Sequence, residues 1–389
     1  MKKRKDIVDL EKGNPHLFLE ITNSIKDKGR ITFAEFMDTV LYHPSYGYYT
    51  LLSERMGDRG DFITSPEIHR VFGRLLAKQI AQVWNMLGSK EDFWIVEIGA
   101  GKGLLCRDIL SCLEEDHPLL YRGLYYGIIE RSPSLVQRQQ EIIIEKEGRS
   151  EKVFWFGSVD DSPLKEGIEG CMISNEFFDA LPVHRVKQKD NLKEIYVGYD
   201  GRFQEVIDEP STHLLETYFK DVSVELKEDM EAEVNLNALD WIEELGKILR
   251  KGVIITVDYG YPARELYSPK RFKGTLLCYF RHRAWNDPYK RLGLQDITAH
   301  VDFTGLAQRG ERCGLSVTGF TDQGSFLIGL GILNELQVLR EDAIEDNMAI
   351  KSLFMPGGFG DTFNVLIQHK GIPYPSLDGL NWKNMKERL

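Results

Sequence analysis

The stretch that decides the fold is Phe93-Trp-Ile-Val-Glu97-Ile-Gly99-Ala-Gly101-Lys-Gly103. A buried β-strand pattern leads into three glycines at alternate positions, and a helical pattern begins directly after them. Glycine allows a tight turn and lets a ligand approach the backbone closely at the N-terminus of the following helix. The spacing acid-x-Gly-x-Gly-x-Gly differs from the Gly-x-Gly-x-x-Gly spacing of most dinucleotide-binding loops.

The acid at the start of this glycine loop indicates which ligand to expect. Glu97 suits a ligand that carries positive charge better than it suits a pyrophosphate. S-adenosylmethionine carries an ammonium and a sulfonium, so we predict it as the cofactor, bound by Glu97, Gly99, Gly101 and Gly103. A nicotinamide-dependent dehydrogenase is the alternative enzyme, because it shares the sheet and a glycine loop but not the Glu97 spacing.

Beyond the loop, short apolar segments alternate with helical stretches, which is typical of parallel strands joined by β-α-β crossovers. The predicted buried strands after Phe93–Ile98 are Tyr126–Glu130, Val153–Phe156, Cys171–Ser174 and Val253–Val257, and Ser316–Phe320 and Phe363–Gln368 would complete a seven-stranded sheet. The predicted fold class is therefore α/β, with a Rossmann-like, doubly wound sheet.

The first 90 residues have helical patterns instead. The predicted helices begin after Asn14-Pro15 and end near Gly29, span Thr32–Tyr42, and run from a capping box at Thr64–Glu67 to Gly88. We expect residues 1–90 to form a helical region that packs on a catalytic domain, residues 91–389. In Gly60–Glu67, the side chains of Asp61, Thr64, Ser65 and Glu67 either fold over the methionine end of the cofactor or only cap the helix.

Two stretches do not resemble a core α/β unit, residues 184–235 and residues 260–310. The first contains a β-hairpin pattern that turns at Asp200-Gly201. The acidic tract Glu225–Glu233 follows it, and we interpret this tract as the solvent-exposed face of a helix. We interpret both stretches as insertions that build a lid or an acceptor site.

Polar residues stand where later strands end, which is where ligands bind in open α/β sheets. Glu130 can accept hydrogen bonds from both ribose hydroxyls of the cofactor, and Asp160, or a backbone amide beside it, can bind the adenine edge. Asn175, Glu176 and Asp179 alternate with aromatic residues after the fourth strand. We predict that Asn175 contacts the cofactor, because carboxylates buried beside aromatics are costly without a ligand. The alternative is that Asn175 caps a helix.

The chain resembles the MidA family, which includes the mitochondrial complex I assembly methyltransferase. The matching stretches are Tyr42-His-Pro-Ser-Tyr-Gly-Tyr-Tyr49, Gly60-Asp-Phe-Ile-Thr-Ser-Pro-Glu67, Glu97–Gly103, Asn175–Pro182, Val257-Asp-Tyr-Gly260 and Gln295-Asp-Ile-Thr-Ala-His-Val-Asp-Phe-Thr304. The family often has proline where Ala100 stands. The resemblance implies an S-adenosylmethionine-dependent protein arginine methyltransferase, whose mitochondrial relative forms symmetric dimethylarginine on a complex I subunit.

A protonated arginine is a poor nucleophile, so the acceptor site needs groups that orient the guanidinium and take up its proton. Carboxylates do both, and Glu176 and Asp179 are the predicted catalytic pair. His300 is the third predicted catalytic residue, with Asp258 and Tyr259 as further candidates for the acceptor wall. We expect no metal, because His300 and Asp302 have no second histidine at helical i+4 spacing.

Composition restricts the partners. The net charge of −11 argues against nucleic acid, because phosphate binding needs clustered lysine and arginine. Five cysteines without a C-x-x-C pair suggest reduced thiols, and the basic opening Met1–Lys5 is not followed by the apolar segment of a signal peptide. We therefore expect a cytoplasmic protein without membrane insertion.

The expected partner is a protein that presents an arginine, such as a homologue of a respiratory complex I subunit. A homodimer is compatible with the sequence. A non-catalytic assembly factor built on a methyltransferase scaffold is the alternative to an enzyme, and the intact glycine loop argues against it.

Overall fold

The computed structural model describes residues 11–51, 63–145, 147–161, 163–336 and 343–389, so the basic opening Met1–Lys5 and Asp61 lie outside the described residues. The chain forms two compact units. The larger unit comprises Ile63–Asp179, Ala238–Ala263 and Val301–Leu389, and the smaller unit comprises Met1–Phe62, Ala180–Asn237 and Arg264–His300. The expected boundary at residue 90 and the two expected insertions stay predictions.

The strands are numbered in chain order. They are β1 (Ile31–Thr32), β2 (Phe93–Ile98), β3 (Leu124–Ile129), β4 (Val153–Phe156), β5 (Ile168–Asn175), β6 (His184–Gln188), β7 (Leu192–Tyr199), β8 (Phe203–Asp208), β9 (Glu231–Val234), β10 (Leu249–Tyr261), β11 (Leu277–Phe280), β12 (Arg283–Trp285), β13 (Asp296–Thr298), β14 (Val301–Asp302), β15 (Ser316–Asp322) and β16 (Phe363–Lys370).

The α-helices are Pro15–Lys28, Phe33–Tyr42, Ser65–Ile68, Val71–Met86, Leu104–Asp116, Pro118–Gly123, Pro133–Gln140, Leu214–Asp221, Leu236–Ile248, Ala263–Leu266, Phe303–Arg312, Gln323–Gly329, Ile344–Phe354 and Phe359–Thr362. The first begins at the predicted cap, where Asn14 accepts a hydrogen bond from the backbone of His16. The second begins after Thr32, which forms a capping box with Glu35. These local signals need no tertiary contact, which is why the sequence predicts them well.

The larger unit is built on one mixed sheet with strand order β15-β16-β10-β5-β2-β3-β4. Strands β4, β3, β2, β5 and β10 run parallel, and β16 is antiparallel to both of its neighbours. Each predicted strand segment is present, but the sheet has eight strands rather than seven, because β14 pairs with the end of β10. The order places β2 and β10 on either side of β5, so their carboxyl ends are adjacent.

Burial of both strand faces holds this sheet in place. β5 and β10 are buried along almost their whole length, as their apolar sequences predict for parallel strands covered by helices. Helices Val71–Met86 and Leu104–Asp116 belong to the same hydrophobic core as β2 and β10. Removing apolar surface from water is the main stabilising term here, at about 25 cal/mol per Å² buried.

The smaller unit contains a five-stranded sheet, with the order β1-β7-β6-β9 and β8 paired to β7, and a three-stranded sheet, β12-β11-β13. The predicted hairpin is confirmed: β7 and β8 are antiparallel, and Gly201 adopts a φ of 70° in the turn between them.

The acidic tract Glu225–Glu233 is not the exposed helix face that the sequence suggested. Its last residues form β9, which pairs with β6. Glu231 bonds Lys187 at 3.2 Å and Lys273 at 2.8 Å, and the buried Glu233 accepts the backbone N–H of Thr275 at 2.7 Å. The two lysines neutralise the charge of Glu231, and the backbone N–H stabilises the carboxylate of Glu233. None of these partners lies within the tract, so the tract alone does not predict them.

The prediction of one long helix from Thr64 to Gly88 is also wrong. The segment forms two helices, Ser65–Ile68 and Val71–Met86, which are separated at His69. This residue is extended, with φ −160° and ψ 138°. Its ring nitrogen Nδ1 accepts the N–H of Val71 at 3.1 Å, and Nε2 lies 3.4 Å from Asp346. The side chain of His69 thus satisfies the first free N–H of the second helix, and a helical backbone is not needed there.

Candidate functional site

The glycine loop lies between β2 and the helix Leu104–Asp116. Gly99, Gly101 and Gly103 all have positive φ, at 68°, 52° and 79°, which residues with a Cβ adopt only with strain. The N–H of Gly99 donates to the carbonyl of Ile129 at 3.1 Å, which joins the loop to the end of β3. The loop thus opens at the N-terminus of a helix, where unpaired N–H groups face a ligand.

The glycines serve different purposes. A Cβ on Gly99 would lie 2.7 Å from Cδ2 of Phe177, so this position is required by packing inside the protein. A Cβ on Gly101 would meet no atom within 4 Å. The space at Gly101 is therefore open, as a position reserved for a bound molecule must be.

Glu97 is buried, with 3% of its surface exposed, at the carboxyl end of β2. The hydroxyl of Tyr126 donates to its Oε2 at 2.7 Å. Burial raises the pKa of Glu97 to about 7, partly offset by the Tyr126 hydrogen bond and increased by the charge of Glu130. An ammonium group beside Glu97 would stabilise the ionised form of this carboxylate.

Glu130 follows β3 and is half-buried. Its Oε1 accepts the N–H of Ser132 at 2.8 Å, and its Oε2 accepts Nε2 of Gln139 at 3.3 Å. Burial raises the pKa of Glu130, while the hydrogen bonds oppose the rise. Gln139 is a residue that sequence reasoning missed, because a buried glutamine in a helix carries no motif.

Asp160 is exposed in the turn that follows β4. The neighbouring Asp161 makes the turn contacts: its Oδ2 accepts the N–H groups of Gly157 at 2.8 Å and Ser158 at 3.1 Å. The assignment of Asp160 to the adenine edge stays a prediction.

The turn after β5 is organised by Asp258, a fully buried residue of β10. Its Oδ2 accepts the backbone N–H groups of Phe177 at 3.1 Å, Phe178 at 2.9 Å and Asp179 at 3.4 Å, and its Oδ1 accepts that of Tyr259 at 3.0 Å. These N–H groups are therefore bound by the side chain of Asp258. No helix begins at Asn175, so Asn175 is not a helix cap. The sequence singled out Asp258 only as part of a short motif.

Glu176 lies at the start of this turn with a φ of 53°, in the left-handed region. Its N–H donates to the carbonyl of Val257 at 2.9 Å, and its Oε1 accepts the N–H of Ser65 at 3.3 Å and Nδ2 of Asn175 at 3.1 Å. A non-glycine residue in this conformation costs about 1–3 kcal/mol and is found mainly at functional sites. The buried Oδ1 of Asn175 has no hydrogen-bond partner among the described residues.

The charge of Asp179 raises the pKa of two neighbouring carboxyl groups, those of Glu176 and Asp258. Burial, then the charge of Asp179, raises the pKa of Glu176 to about 8. Burial and the charges of Asp179 and Glu176 raise the pKa of Asp258 well above its usual range, against the pull of its backbone donors. Tyr259 donates its hydroxyl to Oδ2 of Asp179 at 2.6 Å. The structure therefore brings Glu176, Asp179 and Asp258 together, as three acids whose full ionisation needs a nearby cation.

The segment that begins at Thr64 contacts both the glycine loop and the turn after β5. Glu67 accepts the N–H of Thr64 at 2.9 Å, so the predicted capping box is present. Glu67 also forms an ion pair with Lys102 of the glycine loop. Because Ser65 donates to Glu176, this short segment contacts both the loop and the acidic turn.

His300 belongs to the smaller unit, at the end of Arg264–His300. Its backbone N–H donates to Oγ1 of Thr275 at 3.1 Å. Burial and the charge of Arg271 lower the pKa of His300 to about 4, so its ring is neutral at neutral pH. Among the described residues, no cluster of three or more His, Cys, Asp or Glu side chains is arranged to hold a metal ion.

These residues fit the predicted cofactor. Glu97 offers a buried acid for an ammonium, Glu130 offers two acceptor oxygens for ribose hydroxyls, and the space beside Gly101 is open. The unpartnered Oδ1 of Asn175 is an acceptor available to a ligand donor.

Comparison with known proteins shows which family the chain resembles. The sequence model of a family described as S-adenosyl-L-methionine-dependent methyltransferases matches residues 75–321. The chain is 29% identical to the zebrafish protein named protein arginine methyltransferase NDUFAF7, mitochondrial, over 84% of this chain and 79% of the relative. Its identity to the Drosophila homologue is 28%, over 95% of this chain and 88% of the relative.

Two solved structures from Burkholderia thailandensis share the fold. One is described as a methyl transferase bound to S-adenosyl-homocysteine, with a TM-score of 0.85, 29% identity and 96% coverage of both chains. The other, a native structure, has a TM-score of 0.83 and 30% identity, again over 96% of both chains.

The expected cytoplasmic location is contradicted by the curated relatives, which are named as mitochondrial proteins. Within the described residues, none of the helices has the length and apolar character required to cross a membrane.

The glycine loop, the acids around it, the matched family and the relative with bound S-adenosyl-homocysteine lead to one conclusion. The chain belongs to the MidA family of S-adenosyl-L-methionine-dependent methyltransferases.

Proposed function

We propose that the chain is a protein arginine N-methyltransferase with a Rossmann-like, class I methyltransferase unit. The observation that carries the proposal is the acidic turn of Glu176, Asp179 and Asp258. Within the described part of the chain, neither Glu176 nor Asp258 forms an ion pair with a lysine, arginine or histidine. Buried acids of one sign are unfavourable until a cation arrives, and a guanidinium is a planar cation that carboxylates bind through paired hydrogen bonds.

The names of the relatives support an arginine acceptor, since they are called protein arginine methyltransferases at 28–29% identity. By the same route we propose symmetric dimethylarginine as the product and a respiratory complex I subunit homologue as an acceptor. The resemblance to the family is the support for these two specific assignments.

The cofactor, when bound, supplies a methyl group on a positively charged sulfur. The residues of the chain then hold the guanidinium, fix its plane and take up its proton. Glu176 and Asp179 hold the guanidinium and fix its plane, which aligns one nitrogen for attack. A bound cation lowers the pKa of Glu176 from about 8, so that the ionised carboxylate can take up the proton that the nitrogen releases.

The supporting residues hold this pair in place. Asp258 binds three successive N–H groups of the turn, and Tyr259 orients the carboxylate of Asp179. We propose Glu97, Gly99, Gly101, Gly103, Glu130 and Asn175 as cofactor contacts, with Asp160 at the adenine edge. His300 stays a proposed catalytic residue, with a ring that is neutral at neutral pH.

The proposal is tested by incubating the purified protein with labelled S-adenosylmethionine and lysate proteins, followed by mapping of the labelled residue by mass spectrometry. We expect label on arginine, and none with Glu176→Gln. Glu169→Gln is the matched control. Glu169 lies at the start of β5, the strand that ends just before Glu176, and it pairs with the exposed Lys90 at 2.7 Å. Label on another residue type would refute the arginine assignment, and the absence of any label would favour the non-catalytic scaffold.

A further inference from the structure

Gln139 links the two parts of the cofactor site. It lies in the last turn of the helix Pro133–Gln140 and is completely buried. Its Nε2 donates to the carbonyl of Gly101 at 2.9 Å and to Oε2 of Glu130 at 3.3 Å, and its Oε1 accepts Nε1 of Trp155 at 2.9 Å. One amide therefore contacts the glycine loop, the acid after β3 and a side chain of β4.

The orientation of this amide is determined by its partners. The indole N–H of Trp155 is only a donor, so it requires the oxygen of the Gln139 amide on its side. The carbonyl of Gly101 is only an acceptor, so it requires the NH₂ group on the other. No flipped amide satisfies both partners, and the donors of Gln139 necessarily face the loop and Glu130.

The contact also restricts how Glu130 is held. Its Oε1 accepts the Ser132 N–H and its Oε2 accepts Nε2 of Gln139, and the backbone of Arg131 also donates to this carboxylate. A carboxylate has about four acceptor sites, so these donors still leave a site for a ribose hydroxyl. Without Gln139, the carboxylate can rotate and the Gly101 carbonyl loses a buried partner.

We propose that Gln139 is a positioning residue for the cofactor: its single amide holds the glycine loop and the Glu130 carboxylate in one fixed relation. The proposal rests on the assignment of Gly101 and Glu130 to the cofactor. It is independent of the acceptor, because it concerns binding of the cofactor and of its demethylated product alone.

The sharpest variant is Gln139→Glu, which keeps the shape and replaces the NH₂ group by oxygen. An ionised glutamate donates no hydrogen bond and repels Glu130, whereas a protonated one keeps a single donor. The loss of affinity relative to wild type should therefore grow as pH rises and the new side chain ionises. A role in packing alone would give a loss that does not change with pH.

The experiment is calorimetric titration of the full chain with S-adenosyl-homocysteine between about pH 6 and pH 8.5. For Gln139→Glu we expect affinity about 10- to 100-fold below wild type at the high end and within about threefold at the low end. Gln140→Glu is the matched control, because Gln140 is the next residue of the helix and is exposed. It should bind like wild type at every pH.

A second variant covers the case in which Gln139→Glu does not fold. Trp155→Phe removes the donor that orients the amide and keeps an aromatic ring. It should weaken S-adenosyl-homocysteine binding about threefold and leave kcat at saturating cofactor unchanged. Wild-type affinity in both variants, or an equal loss at every pH for Gln139→Glu, would overturn the proposal. If wild type binds but methylates no arginine, the proposed function fails and the role of Gln139 stands.

Discussion

The larger unit has two groups of acids that differ in what surrounds them. On the cofactor side, Glu97 and Glu130 receive hydrogen bonds from neutral donors, namely Tyr126, Ser132 and Gln139. In the acidic turn, Asp179 lies close enough to Glu176 and Asp258 for its charge to raise the pKa of both. Repulsion between acids acts in both groups, but relative to hydrogen bonding it is weaker at Glu97 than at Glu176 and Asp258.

The difference indicates what each side binds. Preorganised acceptors reduce the cost of ordering a ligand, which suits a cofactor that every turnover needs. Crowded acids gain most from a cation, which suits a guanidinium. The four predictions below test this comparison, beginning with the largest effect.

Glu176→Gln should lower kcat about 1,000-fold, because it removes the base and the charge that grips the guanidinium. Affinity for S-adenosyl-homocysteine should stay within about twofold of wild type, since the substitution leaves the cofactor side intact. Single-turnover kinetics and calorimetry measure the two effects. A matching loss of cofactor affinity would mean that the two groups of acids are not separate in function.

Gly101→Val should reduce cofactor affinity about 100-fold or more, since the new side chain fills the open space beside the loop and strains a φ of 52°. Gly88→Val is the control. Gly88 also has a positive φ, of 84°, and a Cβ there meets nothing within 4 Å, so the backbone strain is similar and remote from the loop. Equal affinity in the two variants would remove Gly101 from the site.

Affinity for S-adenosyl-homocysteine should rise about tenfold as pH increases through about 7, because Glu97 attracts the ammonium only when ionised. The stability of the cofactor-free protein should change in the opposite direction. The pKa of Glu97 is raised in the folded state, so its contribution to stability is full at low pH and is lost as pH rises through about 7.

Calorimetry across this range measures the affinity, and thermal unfolding without cofactor measures the stability. Glu97→Gln should bind more weakly and show a flatter pH dependence of both quantities. Wild-type affinity that fell with increasing pH would show that Glu97 does not bind the ammonium.

Lys102→Met should have the smallest effect, a rise of about threefold in KM for S-adenosylmethionine, because partly exposed ion pairs contribute little. The pair with Glu67 is 24% and 17% exposed at its two side chains. Glu67→Ala should have a larger effect, since it also removes the oxygen that accepts the N–H of Thr64 at 2.9 Å. Equal values for both variants would show that the ion pair is the only important contact of Glu67.

Much of the fold was predictable from sequence. The strand at Phe93–Ile98, the helix cap at Asn14 and the helix that ends at Tyr42 depend on residues close in the chain, and the structure confirms them. The break at His69 was not predictable, because it depends on Asp346 and on a side-chain bond that competes with the helix. The acidic tract was misinterpreted for the same reason, since its lysine partners are distant in sequence.

By itself, the sequence determined the strand, glycine loop and helix, the acids at the strand ends, and from these the cofactor. Local backbone preference and hydrophobic period act over a few residues, so they can be read without a structure. Only the tertiary structure decided that Asp258 binds the turn of Glu176 from a neighbouring strand and that Gln139 joins the loop to Glu130. These contacts depend on strand order and on which side chains reach buried donors, and both are settled when the sheet assembles and most of its buried polar groups must find partners.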